Sequence, residues 1–166
     1  MSEQDKKAIT YISYLKVDEL LELQQPESDG EHDEMLFIVI HQTYELWFKQ
    51  MLHEIAEVQR TLEAGQSHRS LAILGRVRTI MKTCVGQLDI LETMTPLQFN
   101  TFRGRLQSSS GFQSAQFREF EAVLGRRDQA GAGADKHSGM GMAEHLIAGS
   151  PARARVEAAM NRPSLW

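Results

Sequence analysis

A histidine set among aromatic residues at helical spacing is the first sign of chemistry in this sequence. Phe37, His41, Tyr44, Phe48, Leu52 and Ile55 follow one another by steps of four, three, four, four and three, so on a helix they share one stripe. An imidazole beside large rings suits a planar apolar ligand with one polar handle. A packing histidine bonded to a neighbour is the plainer reading of the same residue. The second candidate is Arg103, which shares a helix face with Phe99 and Leu106. A guanidinium can hold a carboxylate through two parallel hydrogen bonds, although an arginine lying along apolar neighbours at the surface has the same pattern. Together the two sites read as a carboxylate clamp beside an aromatic slot.

Long helices must position these groups. Ser28-x-x-Glu31 fits a capping box, and neither Pro nor Gly follows until Gly65, which predicts a helix from about Glu31 to Ala64. At 1.5 Å per residue it would be roughly 50 Å long. After a turn over Gln66 to Arg69, the positions Leu71, Leu74, Val77, Met81, Val85, Leu88 and Leu91 predict a second long helix, antiparallel to the first. Gly75 and Gly86 cost it about 1 kcal/mol each, which suggests close helix contacts there. Thr95 as N-cap and Pro96 at the first position open a third helix over PLQFNTFRGRLQ. A Ser- and Gly-bearing turn over Ser108 to Ser114 follows, and a fourth helix from about Ser114 to Leu124 stops at Gly125.

The expected fold class is therefore all-α, a helical bundle built on two long antiparallel helices. Residues 1–30 form an N-terminal arm, in which Asp18 caps a short helix through Leu23 and Pro26 is a stop. Residues 31–125 form the helical core, and 126–151 a Gly- and Ala-rich segment with one short helix around Met142 to Ala148. Residues 152–166 form a short C-terminal helix stopped by Pro163.

The bulk composition narrows the classes. With 42% hydrophobic and 24% charged residues and a net charge of −4, the 166-residue chain reads as one soluble globular domain. Lys and Arg are scattered without a basic tract, which argues against nucleic acid or an anionic membrane as partner. The one cysteine, Cys84, reads as a core residue and excludes an intrachain disulfide. With no signal peptide and no apolar run of about 18 residues, a cytoplasmic protein is expected.

Two motifs carry a resemblance. HDEMLFIVIHQTYELWFKQMLHE, His32 to Glu54, resembles the signature helix of the tryptophan 2,3-dioxygenase family, haem enzymes that open the indole ring of L-tryptophan. Phe102 to Glu121 is similar to the family's second motif, FRxxLxxxSGFQSxQFRxxE, and follows in the right order. The YxxYL segment at Tyr11 to Leu15 and the PSLW end resemble further family elements.

The resemblance implies haem b as cofactor, L-tryptophan and O2 as substrates, and N-formylkynurenine as product, the opening step of tryptophan catabolism along the kynurenine pathway. It implies that His41 acts at the reaction centre facing the indole nitrogen, that Phe37 packs on the indole ring, and that Ile38, Val39 and Ile40 belong to the same substrate-binding stretch. Phe99 and Leu106 would line the pocket, and Arg103 would pair with the substrate carboxylate, helped by Ser109, Ser110 and Gly111. Tyr11 and Tyr14 would close the pocket of a neighbouring subunit, so a homo-oligomer is expected, a dimer or tetramer with exchanged arms.

The same resemblance marks a departure. The family's second helical portion, which holds the proximal histidine of the iron, would begin where this chain stops at Trp166, so a truncated chain is expected. His137 and His145 match no haem motif of the family, His32, His53 and His68 fall near helix ends or outside the main stripe, and no metal ligand is identified. Alternatives stay open: a non-catalytic helical oligomerisation module, one half of a split enzyme, or a related haem oxygenase acting on a modified tryptophan or another aromatic amino acid. A carboxylate-bridged metal bundle ranks lower. His41 and Glu45, and His53 and Glu57, are spaced for one, but the Glu-x-x-His motif is absent.

Overall fold

In a computed structural model that describes residues 8–107, 113–125 and 158, the chain is organised by one helical hairpin. The described residues form the helices α1 (Tyr11–Leu15), α2 (Val17–Leu21), α3 (His32–Glu63), α4 (Ser67–Leu91), α5 (Pro96–Arg103) and α6 (Ala115–Val123), with no strand among them. The all-α expectation holds. None of these helices is long and apolar enough to cross a membrane.

α3 and α4 run antiparallel, as three cross-links along them show. Tyr44 Oη donates to the Cys84 carbonyl at 3.0 Å, Arg76 pairs with Glu54 at 2.8 Å, and the Thr61 and Ser70 hydroxyls meet at 2.7 Å. The sharp reversal between the helices needs Gly65, whose φ of +70° is one that a β-carbon would strain. α6 closes the core: Phe120, Ala122 and Val123 pack with Met51 and Ile55 of α3 and with Val77 and Ile80 of α4. Trp47, Phe48 and Cys84 pack against that cluster partly buried, and burial pushes the Cys84 thiol's pKa up.

Several local expectations are corrected. Ser28 does not cap α3. The N-cap is Glu31, without a side-chain hydrogen bond, and Ser28 instead turns its backbone N–H and hydroxyl to Glu34. A buried carboxylate needs donors more than a solvated helix end needs a cap, so the serine goes to Glu34. Asp18 is likewise not a cap. It stands in the first turn of α2, after a break at Lys16 with φ +54°, and the arm's capping box is made by Thr10 and Ser13 at the start of α1. The third helix is shorter than expected, since α5 ends at Arg103 and gives way to turns through Gln107. Gly75 and Gly86 mark no close helix approach: a β-carbon at either would meet nothing within 4 Å. The Gly-rich segment, the helix near Met142 and the C-terminal helix expectation lie outside the described residues, apart from Ala158, which is helical.

Candidate functional site

The stripe on α3 is a continuous chain of ring contacts. Phe37 and His41 have ring centroids 4.1 Å apart, His41 and Tyr44 6.5 Å, and Tyr44 stacks on Phe48 at 6.0 Å. All four side chains are half-buried. The Tyr44 hydroxyl is tied to α4 through the Cys84 carbonyl, and burial raises its pKa, with a smaller contribution from Cys84. Phe48 continues onto α6 through Phe117, 5.2 Å away.

α5 is brought to this wall by Phe102, which is fully buried. Its ring meets Phe37 edge-on at 5.8 Å and Phe99 edge-on at 5.4 Å, and Phe99 reaches Phe37 at 5.7 Å. Thr95 and Gln98 form a capping box at the start of α5, with Pro96 at its first position, so this short helix is fixed at one end by its cap and at the other by the Phe102 anchor. Arg103 then lies with its guanidinium carbon 5.9 Å from the Phe99 ring centroid. Its Nη1 donates to the Gln107 carbonyl at 3.0 Å, and among the described residues it is in no ion pair. The Arg103 charge, the two phenylalanine rings and the His41 imidazole thus follow one another across a single surface.

The His41 hydrogen bond fixes the chemistry of that ring. Nδ1 lies 2.8 Å from the Phe37 carbonyl oxygen, which can only accept, so Nδ1 carries the proton. In the neutral imidazole Nε2 is then an acceptor, and it makes no hydrogen bond to a described residue. A ligand with a lone N–H beside an aromatic ring and a carboxylate at its other end meets a matching acceptor, rings and cation here.

The other expected site residues are placed as follows. Ile38 is half-buried, Val39 is 43% exposed and Ile40 is buried on the core side, because successive helical residues turn by 100° and only Phe37 and His41 of this stretch share the ring face. Leu106 is half-buried in the turn after α5. Tyr11 and Tyr14 are 75% and 73% exposed on α1, outside the ring contacts around Phe37. Ser109, Ser110 and Gly111 lie outside the described residues, as do His137 and His145.

Two residues carry no distinguishing signal in the sequence: Phe102, which reads like any apolar residue of an amphipathic helix, and Gln116, which donates to the Glu45 carbonyl at 2.9 Å and carboxylate at 2.7 Å. With Glu45 so engaged, and Glu57 held by Arg60 and Arg69, neither carboxylate of the two His/Glu pairs is free. Among the described residues no group of three or more His, Cys, Asp or Glu side chains could hold a metal ion. His53 instead borders an open groove between α3 and α4 with Glu54, Glu57, Arg60, Arg69 and Arg76, where the charges pair with one another.

Comparisons with known proteins point one way. The family profile described as tryptophan 2,3-dioxygenase matches residues 1–138. The chain is 54% identical over 159 residues to a tryptophan 2,3-dioxygenase of Anaeromyxobacter sp. (strain K), covering 96% of this chain and 56% of that relative. It is 53% identical over 161 residues to one of Herpetosiphon aurantiacus, with 96% and 57% covered. A relative of the same name from Dictyostelium discoideum is 47% identical over 133 residues, with 75% and 33% covered. The chain spans little more than half the length of the bacterial relatives.

Proposed function

The chain belongs to the tryptophan 2,3-dioxygenase family, and from that premise we propose that the α3–α5 surface is the substrate-facing wall of a haem pocket in which O2 opens the indole ring of L-tryptophan. Both oxygen atoms enter the product, the indole C2–C3 bond breaks, and N-formylkynurenine forms with no other atom or electron gained or lost.

One observation carries this reading: Nδ1 of His41 donates to the Phe37 carbonyl, so Nε2 is left as an acceptor on a ring that packs on Phe37, which in turn meets Phe99. An indole N–H is a donor only, which suits that nitrogen. Phe37 and Phe99 supply apolar faces for the fused ring and exclude water from it. Arg103, in no ion pair among the described residues, keeps donors beyond Nη1 for the substrate carboxylate. His41 orients the substrate more than it moves a proton.

The residues present fit the open side of a haem, because the wall is aromatic, half-buried and carries one unengaged imidazole nitrogen. Phe37, His41 and Tyr44 would border the group. The haem, when bound, supplies the activation of dioxygen. We further propose a cytoplasmic homo-oligomer, dimer or tetramer, in which the arm docks on a neighbouring copy. The support is that α1 and α2 bury none of their own residues, and that Tyr11, Tyr14 and Leu21 on them and Ile9 just before them are largely exposed.

Incubation of a haem-loaded, haem-competent assembly containing this chain with L-tryptophan and O2 tests the reading. N-formylkynurenine from L-tryptophan, and no oxygenated product from L-phenylalanine, is expected. Loaded protein that consumes no tryptophan and shows no tryptophan-dependent change in its haem absorbance would contradict it.

A further inference from the structure

One helical turn before Phe37 lies a constellation that the wall itself does not use. Glu34 is 1% exposed, yet it is a carboxylate with three donors: the backbone N–H of Glu27 at 2.8 Å, the backbone N–H of Ser28 at 2.9 Å, and the Ser28 hydroxyl. Burial works to raise its pKa, but these hydrogen bonds and the charge of Arg105 outweigh it and hold the pKa below the usual value. A glutamate at the third position of a helix ordinarily reaches back to its own N-cap. Glu34 reaches beyond it to residues 27 and 28, so it fixes the loop leaving the arm and does not cap the helix.

That loop is gripped from its other side as well. Arg105 Nη1 donates to the Glu27 carbonyl at 3.3 Å. Arg105 is two residues past Arg103, in the turn where Arg103 itself bonds to Gln107, whose φ of +50° makes the turn a tightly specified one. Hydrogen bonds therefore run from Glu34 through the Glu27–Ser28 loop to Arg105, which the backbone of the same turn joins to Arg103, separate from the Phe37 and Phe99 ring contact.

We infer that Glu34 is a positioning residue: by holding the Glu27–Ser28 loop against Arg105, it sets where the Arg103 guanidinium stands relative to the His41 wall. The inference rests on the reading of Arg103 as the substrate carboxylate's partner.

Two measurements test it. In the 166-residue chain without haem, the Arg103 Nε resonance should shift in Glu34→Gln and in Ser28→Ala but stay in place in Glu57→Gln, a control at the far end of α3. An unmoved Arg103 signal in both latch variants would overturn the inference. The second is a cycle of L-tryptophan dissociation constants in the haem-loaded protein. Glu34→Gln should weaken binding by roughly five- to tenfold when Arg103 is present, and by less than about twofold in the Arg103→Leu background, because a residue acting through another has no separate effect once that other is gone. Equal losses in both backgrounds, or none in either, would show a role that does not pass through Arg103. If Arg103→Leu alone leaves tryptophan affinity unchanged, the clamp is wrong and the inference falls with it. Ser28→Ala removes one donor, keeps the carboxylate and two backbone donors, and serves the same cycle should Glu34→Gln fail to fold.

Discussion

Phe37 of α3 and Phe99 of α5 face each other with ring centroids 5.7 Å apart and planes inclined by 36°. Through this contact the imidazole of His41 and the guanidinium of Arg103 become parts of one surface, although they are 62 positions apart in sequence. Truncating Phe99 to Ala should loosen α5 at that point. The ring is only half-buried, so the stability cost should be about 1–2 kcal/mol, less than for a buried phenylalanine. Thermal melts measure the cost, and tryptophan binding should weaken in parallel.

Phe102 makes the sharper case. With no exposed surface and edge-on contacts to both Phe37 and Phe99, it is the anchor of α5. Phe102→Ala should cost about 3–5 kcal/mol, the range for a cavity left by a buried aromatic residue. Denaturant unfolding gives the value, and a loss below about 1 kcal/mol would mean that α5 is not held by this ring.

Arg103→Leu in the haem-loaded protein should weaken L-tryptophan binding by about 2 kcal/mol, close to thirtyfold, through loss of a charge-assisted hydrogen-bonding partner. Arg103→Lys should recover only part of it, since an ammonium keeps the charge but not the planar fork. Direct titration of substrate reads both.

Glu57 provides a pH test far from the site. Hydrogen bonding from Arg60, set against burial and joined by the charges of Arg60 and Arg69, lowers its pKa from 4.5 to about 2. The folded value lies below the unfolded one, so its contribution to stability is fully present above pH 4.5 and is lost as pH falls toward 2. Melting temperatures of the protein and of Glu57→Gln should therefore differ by a constant amount near neutrality and converge in acid. A gap that widens as pH falls would contradict this ion pair.

Much of α3 was legible because a helix is a local object. The three- and four-residue steps that placed Phe37, His41, Tyr44 and Phe48 on one stripe reappear as successive ring contacts. Helix-end signals were less reliable. Ser28-x-x-Glu31 has the form of a capping box, but a buried carboxylate three residues further on competes for the same serine, and nothing local to the motif shows that Glu34 is buried. Gly75 and Gly86 suggest points of close approach because a glycine inside a helix needs a reason, yet a β-carbon at either would meet nothing within 4 Å. Phe99 and Phe102 could not be ranked from sequence, since which of them α3 buries depends on how α5 crosses it. The pairing of Gln116 with Glu45 joins α6 to α3 over 71 positions and leaves no periodic trace.

In the proposed pocket, Nε2 of His41 accepts the indole N–H. This hydrogen bond is tested most directly by comparing the affinities of L-tryptophan and 1-methyl-L-tryptophan, which lacks that proton, in the haem-loaded protein and in His41→Ala. The unsubstituted protein should prefer tryptophan by roughly three- to tenfold, the worth of one neutral hydrogen bond, and His41→Ala should lose most of that preference while still binding haem. An undiminished preference in His41→Ala would rule out this hydrogen bond, and loss of haem in that variant would mean that His41 belongs to the iron's side of the pocket and not to the substrate's.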